Sequence, residues 1–264
     1  MTDQRVALVT GAGRGIGAAT VHQLAAAGWA VVAVDTCKDD RALPYAMSSA
    51  ADLDAVVESA TGPCAVIACR ADVRDVDALR VAVGLAEQRF GGLDAAIACA
   101  GVIGGGVPQW EVSSAVERAV IEVNLGGVLN LARVGVPALL RRPEPRAGRF
   151  IAVASAAATR GIPMIAAYGS AKAGVAGLIR SLAVELGASG VTANAVSPGS
   201  TATAILDESA RLYELASAGD FAEQQPFGRL LDASEVANVI AFLAGAGSSG
   251  MTGAVVPVDG GLSL

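Results

Sequence analysis

The chain has 264 residues, of which 53% are hydrophobic and 17% charged, and its formal net charge at pH 7 is −6. This length is enough for one α/β domain with a substantial core, and the acidic balance, without a basic patch, argues against nucleic acid as a partner. Because the N-terminus lacks the apolar stretch of a signal peptide, and no uninterrupted apolar run of ~18 residues predicts a membrane span, we expect a cytoplasmic protein.

Apolar strand-like runs alternate with longer helical patterns along the chain. The predicted strands are Arg5–Thr10, Ala30–Val34, Val66–Ala71, Ala95–Ala98, Phe150–Val153, Thr192–Val196 and Ala254–Val258. The predicted helices are Gly15–Ala27, Val76–Phe90, Ser113–Leu140, Ala167–Leu186 and Ser234–Leu243. This alternation predicts a doubly wound, mostly parallel sheet with helices on both faces. With no repeat and no linker, we expect one Rossmann-type α/β domain over residues 1–264.

The first predicted βα turn, residues 10–17, has the sequence TGAGRGIG. Glycines here permit a tight turn and let backbone N–H groups approach a pyrophosphate, and the following helix N-terminus favours the negative charge. A strand before the turn and a helix after it strengthen this interpretation. We therefore expect the turn to bind a dinucleotide, through the residues Gly11, Arg14, Gly15, Ile16 and Gly17.

Asp35 ends the second predicted strand, 18 residues after Gly17. This is near the spacing of about 20 residues expected for an acid that binds the adenosine ribose hydroxyls. The carboxylate would repel a 2′-phosphate, which predicts NAD rather than NADP. Arg14 is the counter-argument, because its side chain could approach a 2′-phosphate, but no basic residue directly follows Asp35.

Ser155, Tyr168 and Lys172, further along the chain, stand at a spacing that can bring their side chains to one site. Tyr168 follows Ser155 by 13 residues, and Lys172 follows Tyr168 by four, which places the tyrosine and lysine on one helix face. Oxidation of an alcohol needs a base, and a free tyrosine with a pKa of about 10 is too weakly acidic to serve near neutrality. We expect the lysine ammonium to lower that pKa and the serine hydroxyl to hold the substrate oxygen.

Together these motifs resemble the short-chain dehydrogenase/reductase family over essentially the whole chain. The matching residues are TGxxxGIG at 10–17, Asp72-Val73, Asn124, Ser155, Tyr168-x-x-x-Lys172, Pro198-Gly199 and Asp259-Gly260-Gly261. The resemblance implies that Tyr168 is the general acid/base, that Lys172 also binds the nicotinamide ribose, and that Ser155 stabilises the reacting oxygen. It further implies that Asn124 helps hold a water that links Lys172 to solvent.

The resemblance also implies further cofactor contacts and an assembly. Asp72 and Val73 would contact the adenine, while Pro198, Gly199, Thr201 and Thr203 would line the nicotinamide. Many family members have Asn-Asn-Ala-Gly after the fourth strand, where this chain has ACAG at 98–101. The backbone contacts of Ala100 and Gly101 can survive this change, but the strand must be supported differently. A homotetramer is expected, with close helix contacts at the small residues Ala171, Gly174, Ala176 and Gly177.

Two segments are interpreted as insertions. Residues 36–61 resemble the mycofactocin-associated branch of the family, which includes carveol-dehydrogenase-like enzymes from actinobacteria. That resemblance implies an NAD that is retained tightly and a separate redox carrier; an ornamental surface insert is the alternative. Residues 204–226 mix apolar and charged residues at roughly helical spacing, which suits a mobile lid over a pocket, or else a surface helix packed on the core.

The favoured function is therefore NAD-dependent interconversion of a hydrophobic secondary alcohol, terpenoid or steroid-like, and its ketone. Reduction of 3-oxoacyl thioesters is the alternative within the oxidoreductases, and a non-catalytic NAD-binding regulator is the alternative outside them. The four cysteines lack Cys-x-x-Cys spacing and the single histidine, His22, falls in the first predicted helix, so no metal site is predicted. Four arginines between 141 and 149, interrupted by two prolines, are predicted to form a solvated loop.

Overall fold

A computed structural model describes residues 4–264. Within them, seven parallel strands form one sheet in the order β3-β2-β1-β4-β5-β6-β7. The strands are β1 Val6–Thr10, β2 Ala30–Asp35, β3 Val66–Arg70, β4 Ala95–Ala98, β5 Arg149–Val153, β6 Thr192–Pro198 and β7 Val255–Val258. The strand order reverses between β1 and β4, and such a reversal opens a crevice at the carboxyl ends of the strands. This confirms the predicted doubly wound Rossmann-type fold.

Helices cover both faces of the sheet. They are α1 Gly15–Ala26, α2 Ala50–Ser59, α3 Val76–Phe90, α4 Ser114–Ile121, α5 Gly127–Leu140, α6 Ala166–Glu185, α7 Ala204–Leu212 and α8 Ala233–Ala244. Short 3₁₀ turns span Gln109–Glu111, Ala156–Ala158, Ala218–Gln224 and Ala246–Ser248. Helices α1, α2 and α8 pack one apolar cluster against the sheet, and α3 to α6 pack the other. Alternate residues of each central strand enter opposite clusters, as a pleated strand requires.

The predicted helix 113–140 is continuous but irregular. A π-helical stretch, Glu122–Gly126, joins α4 to α5 and carries Asn124. The whole stretch Ser114–Leu140 is long and apolar enough, by length and composition, to cross a membrane, and 44% of its most apolar window is buried inside the fold. Leu131 and Leu139 belong to the core cluster, so the inner face of this helix packs within the domain.

The structure divides the first predicted insertion and corrects the predicted arginine loop. Ala50–Ser59 is a regular crossover helix, opened by a capping box in which Ser49 and Asp52 bond reciprocally, so the irregular part of the insertion is 36–49.

Arg149 lies in β5 and is only 2% exposed, with its guanidinium bonded to the carbonyls of Gly148 and Gly245. The expectation of a solvated loop is wrong for this residue, because strand β5 begins one residue earlier than predicted and includes Arg149.

Candidate active site

A cavity of about 600 Å³ opens at the carboxyl ends of the strands. It runs past the glycine turn after β1, the end of β2 and the loops that follow β3 to β6. Except for Asn124, every residue predicted to bind cofactor or to act in catalysis lines this cavity. The strand topology has therefore gathered residues that lie up to 192 positions apart, from Gly11 to Thr203, around one space.

The glycine turn is shaped by close backbone approach. Gly11 has a φ of +66°, and a Cβ placed on it would lie 2.6 Å from the Cα of Ala100. A Cβ on Gly17 would lie 2.0 Å from the carbonyl oxygen of Gly11. Neither position accepts a side chain, and the resulting bare backbone before α1 forms a cradle of the kind that holds a pyrophosphate.

Asp35 closes the far end of this cradle. The carboxylate is 7% exposed and accepts hydrogen bonds from the backbone N–H of Gly13 at 2.9 Å and from the hydroxyl of Ser48 at 2.5 Å. Its position on the cavity wall matches the ribose-binding acid that the sequence predicts. Sequence reasoning missed Ser48, although the capping box one residue later signals a helix start there.

Residues 36–49, here named the cover segment, lie against the Asp35 end of the cavity. Arg14 turns toward this segment and donates to the carbonyl of Ala46 at 2.9 Å. The hydroxyl of Tyr45 accepts a hydrogen bond from the N–H of Ile103 at 2.9 Å. The cover segment is thus fastened to the glycine turn and to the loop after β4.

Arg74 makes a third fastening. Its guanidinium bonds Asp40 of the cover segment at 2.6 Å and Asp72, after β3, also at 2.6 Å. Burial acts to raise the pKa of Asp72, but the hydrogen bonds and charge of Arg74 outweigh it, so that pKa lies below its usual range. All three side chains line the cavity, and the ion pairs therefore close its rim beside the predicted adenine contacts.

Ser155 and Tyr168 meet at the opposite end of the cavity. Ser155 follows β5 and begins the 3₁₀ turn, where its hydroxyl accepts from the N–H of Ala157 at 3.2 Å. Burial raises the pKa of Tyr168, and a hydrogen bond with Ser155 lowers it by less. The phenol is therefore protonated at neutral pH in this arrangement, ready to donate a hydrogen bond to a substrate oxygen.

Lys172 lies one helical turn beyond Tyr168 and is 4% exposed. Its Nζ atom donates to the carbonyl of Val153 at 2.7 Å and lies 5.7 Å from the centre of the Tyr168 ring. Burial lowers the pKa of Lys172 to about 8. The expected lowering of the Tyr168 pKa by this ammonium does not appear: burial of the phenol raises that pKa, and only the hydrogen bond with Ser155 lowers it.

Asn124 lies behind the cavity wall and is fully buried. Its amide donates to the carbonyls of Val102 and Val120, both at 2.8 Å, and its Oδ1 accepts from the N–H of Val102 at 3.3 Å. A Cβ added to Gly101 would lie 3.0 Å from the Asn124 Oδ1 and 3.6 Å from the Lys172 Nζ. A side chain at Gly101 would therefore crowd Asn124 and lie beside Lys172.

Residues 98–101 have the sequence ACAG in place of Asn-Asn-Ala-Gly, and two threonines support this strand end. The N–H of Ala100 donates to the hydroxyl of Thr10 at 3.3 Å, and Thr20 forms a hydrogen bond with the thiol of Cys99. Burial raises the pKa of Cys99 to about 12, so a thiol that faces Lys172 stays neutral. Hydroxyl groups from β1 and α1 therefore support this strand end, where asparagines do so in many relatives.

The Ser155 end of the cavity is largely apolar and is covered by residues 204–226, here named the lid segment. The lining residues there include Ile162, Ile165, Ile205, Leu206, Leu215 and Phe221. Tyr213 of the lid segment donates to the carbonyl of Pro163 at 2.6 Å and stacks edge-on against Phe221. Sequence reasoning also missed Arg160, which lines this end and carries no motif.

A backbone cradle joined to a serine, a tyrosine and a lysine at one cavity defines a class of Rossmann-fold oxidoreductases. A family model described as enoyl-(acyl carrier protein) reductase matches residues 11–263. The chain belongs to the short-chain dehydrogenase/reductase family and is an oxidoreductase.

Named relatives refine this family assignment. The chain is 36% identical over 270 residues to the short-chain reductase protein NovJ of Streptomyces niveus, covering 99% of this chain and 95% of that protein. It is 38% identical over 258 residues to cis-4-hydroxycyclohexanecarboxylate dehydrogenase of Sinomonas cyclohexanicum, covering 98% and 96%. The crystal structure of carveol dehydrogenase from Mycobacterium avium in complex with NAD superposes with a TM-score of 0.91 at 31% identity, covering 98% of this chain and 97% of that one.

Proposed function

We propose that this protein is an NAD-dependent dehydrogenase that interconverts a cyclic secondary alcohol and its ketone. The observation that carries the proposal is the placement of Ser155, Tyr168 and Lys172 on the same cavity as the glycine cradle and Asp35. The apolar Ser155 end suits a ring-bearing substrate. Relatives named for carveol and for hydroxycyclohexanecarboxylate support a cyclic alcohol.

The residues present fit NAD. Gly11 and Gly17 leave bare backbone for the pyrophosphate, and the Asp35 carboxylate suits the adenosine ribose. Asp72 and Val73 would border the adenine, and Ala100 and Gly101 the middle of the dinucleotide. The end of β6 and the loop after it would border the nicotinamide through Pro198, Gly199, Thr201 and Thr203. When bound, NAD supplies or accepts the hydride.

The proton is handled by the chain's own residues. Tyr168 exchanges it with the substrate oxygen through its phenol, and Ser155 holds that oxygen in line. Lys172, with a pKa of about 8, is largely an ammonium at neutral pH, and it would hold the nicotinamide ribose. A water held with the help of Asn124 would link Lys172 to solvent and give the proton a way out of a buried site.

Replacing Tyr168 with phenylalanine tests this proposal. The variant keeps the ring and its packing and removes only the hydroxyl. Turnover of a cyclic alcohol such as carveol should fall by about 10²- to 10⁴-fold, while NAD binding, measured by calorimetry, should stay within a few-fold. Undiminished turnover would refute the role of Tyr168. A non-catalytic NAD-binding regulator would instead show no turnover in the unaltered protein.

We propose further that NAD is held tightly and that its electrons pass to a separate redox carrier, as in the mycofactocin-associated branch. Three fastenings support this: Arg14 with Ala46, Tyr45 with Ile103, and Arg74 with Asp40 and Asp72. Mass spectrometry of protein purified without added cofactor should find NAD after denaturation. Absence of NAD, together with rapid turnover on free NAD⁺, would contradict retention.

We also propose a single-domain cytoplasmic protein that assembles as a homotetramer. Ala171 and Ala176, which were expected at a helix contact between subunits, are buried within the subunit. Gly174, also expected there, faces Leu125 of the same chain. Gly177, the fourth expected residue, has open space where its side chain would be and lies on the outward face of α6 with the exposed Val184. Light scattering at micromolar concentration should give four times the chain mass, and a monomer would contradict the proposal.

Reduction of 3-oxoacyl thioesters remains the competing oxidoreductase reaction. Asp35 disfavours the NADP that such reductases commonly use, and the sequence has no cluster of basic residues suited to an acidic carrier protein. Parallel assays with a cyclic alcohol plus NAD⁺ and with a 3-oxoacyl thioester plus NADPH separate the two. Faster turnover in the second assay would overturn the preferred substrate class while leaving the oxidoreductase assignment in place.

A further inference from the structure

Arg160 introduces a charge into the apolar end of the cavity. Apart from Lys172, it is the one charged side chain that the described residues contribute to this end; the other charged lining residues cluster around Asp35 and the cover segment. Oxidation of a neutral alcohol, as proposed above, needs no positive charge at the position of Arg160. A cation at the mouth of an apolar pocket fixes the orientation of a ligand that carries the opposite charge.

The guanidinium of Arg160 is anchored but its charge is not neutralised. Its Nη1 donates to the backbone carbonyl of Leu262 at 2.9 Å, and Leu262 itself lines the cavity. Within residues 4–264, Arg160 forms no ion pair and lies exposed at the mouth of the cavity, as do several unpaired arginines elsewhere on the surface of a chain with a net charge of −6. Most of its N–H donors are therefore left for a ligand, in the planar fork that suits a carboxylate.

A short piece of backbone joins Arg160 to the reacting centre. Ser155 begins the 3₁₀ turn, and the N–H of Arg160 bonds to the carbonyl of Ala156 at 3.0 Å. Arg160 thus follows Ser155 by five residues, which corresponds to roughly 8–10 Å of helical rise. A substrate that spans from the serine hydroxyl to the guanidinium needs a compact apolar body with polar groups at its two ends.

We propose that Arg160 binds a carboxylate on the far side of the substrate ring, so that the enzyme acts on cyclic hydroxy acids and the corresponding oxo acids. This inference rests on the proposed function, since it assigns the substrate class of that site. The alcohol oxygen lies at Ser155 and Tyr168, the ring lies among the apolar side chains, and the carboxylate pairs with Arg160. A neutral alcohol of the same size would bind without this last contact.

Paired substrates test the inference. The probes are 4-hydroxycyclohexanecarboxylate and its primary amide, which has nearly the same shape and no charge, each assayed with NAD⁺ or an artificial electron acceptor. In Arg160→Gln, kcat/KM for the acid should fall about tenfold, mainly through KM, because a hydrogen bond to a charged group is lost. For the amide, kcat/KM of the variant should stay within about twofold of that of the unaltered protein. Arg160→Lys should recover part of the loss, and Arg89→Gln, an exposed arginine of α3 outside the cavity, should change neither.

The outcomes separate the inference from the proposed function. An equal fall for acid and amide would mean that Arg160 only anchors Leu262, and it would overturn the inference. Preference of the unaltered protein for the amide, or for a pantetheine thioester, would overturn it as well while leaving the dehydrogenase intact. If the unaltered protein oxidises no cyclic alcohol at all, charged or neutral, the proposed function itself fails.

Discussion

Replacing Lys172 with methionine tests how the fold tolerates a buried ammonium. Lys172 is 4% exposed, and burial lowers its pKa from the ordinary 10.5 to about 8. The folded chain therefore binds this proton less firmly than the unfolded chain does. At pH 7, where both states carry the proton, the shift corresponds to a cost of about 3 kcal/mol in the free energy of unfolding.

The sign of the pH dependence follows from proton counting. Between about pH 8 and pH 10.5 the unfolded chain keeps the proton and the folded chain has lost it, so the stability of the unaltered protein rises relative to the variant. Methionine also leaves the Val153 carbonyl without its partner, which costs the variant about 1–3 kcal/mol at every pH. The variant should be of equal or slightly greater stability at pH 7 and less stable at pH 10.

Urea denaturation of cofactor-free protein at pH 7, 8.5 and 10 measures this difference. The stability of the unaltered protein minus that of Lys172→Met should grow by about 2–3 kcal/mol across the series. Arg149→Met is the matched control, because Arg149 is equally buried but keeps its charge throughout this range. A difference that is flat from pH 7 to pH 10 would refute the burial argument, and activity in the variant would refute the role of the lysine.

Three further substitutions probe the other parts of the site. Gly101→Ala places a methyl group 3.0 Å from the Asn124 Oδ1 and 3.6 Å from the Lys172 Nζ, so kcat should fall and the solvent isotope effect should change while KM for NAD stays similar. An unchanged kcat would contradict a proton path there. Asp35→Asn should lower the kcat/KM preference for NAD over NADP by about tenfold or more, through loss of the repelling charge. Arg74→Ala should speed NAD release several-fold, as two half-buried ion pairs are lost, whereas Arg70→Ala, which breaks an exposed pair outside the cavity, should not.

The parts of the fold that the sequence predicts well are those whose signals are local. The strands of a parallel sheet with both faces covered read as continuous apolar runs, and β1, β2, β4 and β5 are buried along their whole length. Tyr168 and Lys172 share one helix, so their four-residue spacing alone fixes their relation. The turn at 10–17 likewise needs only its own glycines. These features were therefore accessible before any tertiary contact was known.

The parts that escaped prediction depend on contacts between distant segments. Nothing in the sequence near Asn124 shows that its amide is committed to the backbone of Val102, 22 residues away. The balance of pKa effects at Tyr168 depends on how deeply the phenol is buried, which spacing does not reveal. Arg160 carries no motif, and only the placement of the 3₁₀ turn and of Leu262 brings it to the cavity.

The two ends of the cavity are built from separate elements, so cofactor choice and substrate choice can be altered separately. We propose that cofactor choice and retention depend on Asp35 and the cover segment, neither of which forms a hydrogen bond with Ser155 or Arg160 among the described residues. Substrate choice, by the same proposal, depends on the lid segment and Arg160. A substitution at one end should therefore leave the property assigned to the other end nearly unchanged. The reason is that substitutions without shared partners act almost additively. A double variant Arg74→Ala, Arg160→Gln should show the faster NAD release of the first and the lost acid preference of the second, and strong coupling between them would mean that the lid and cover segments move together.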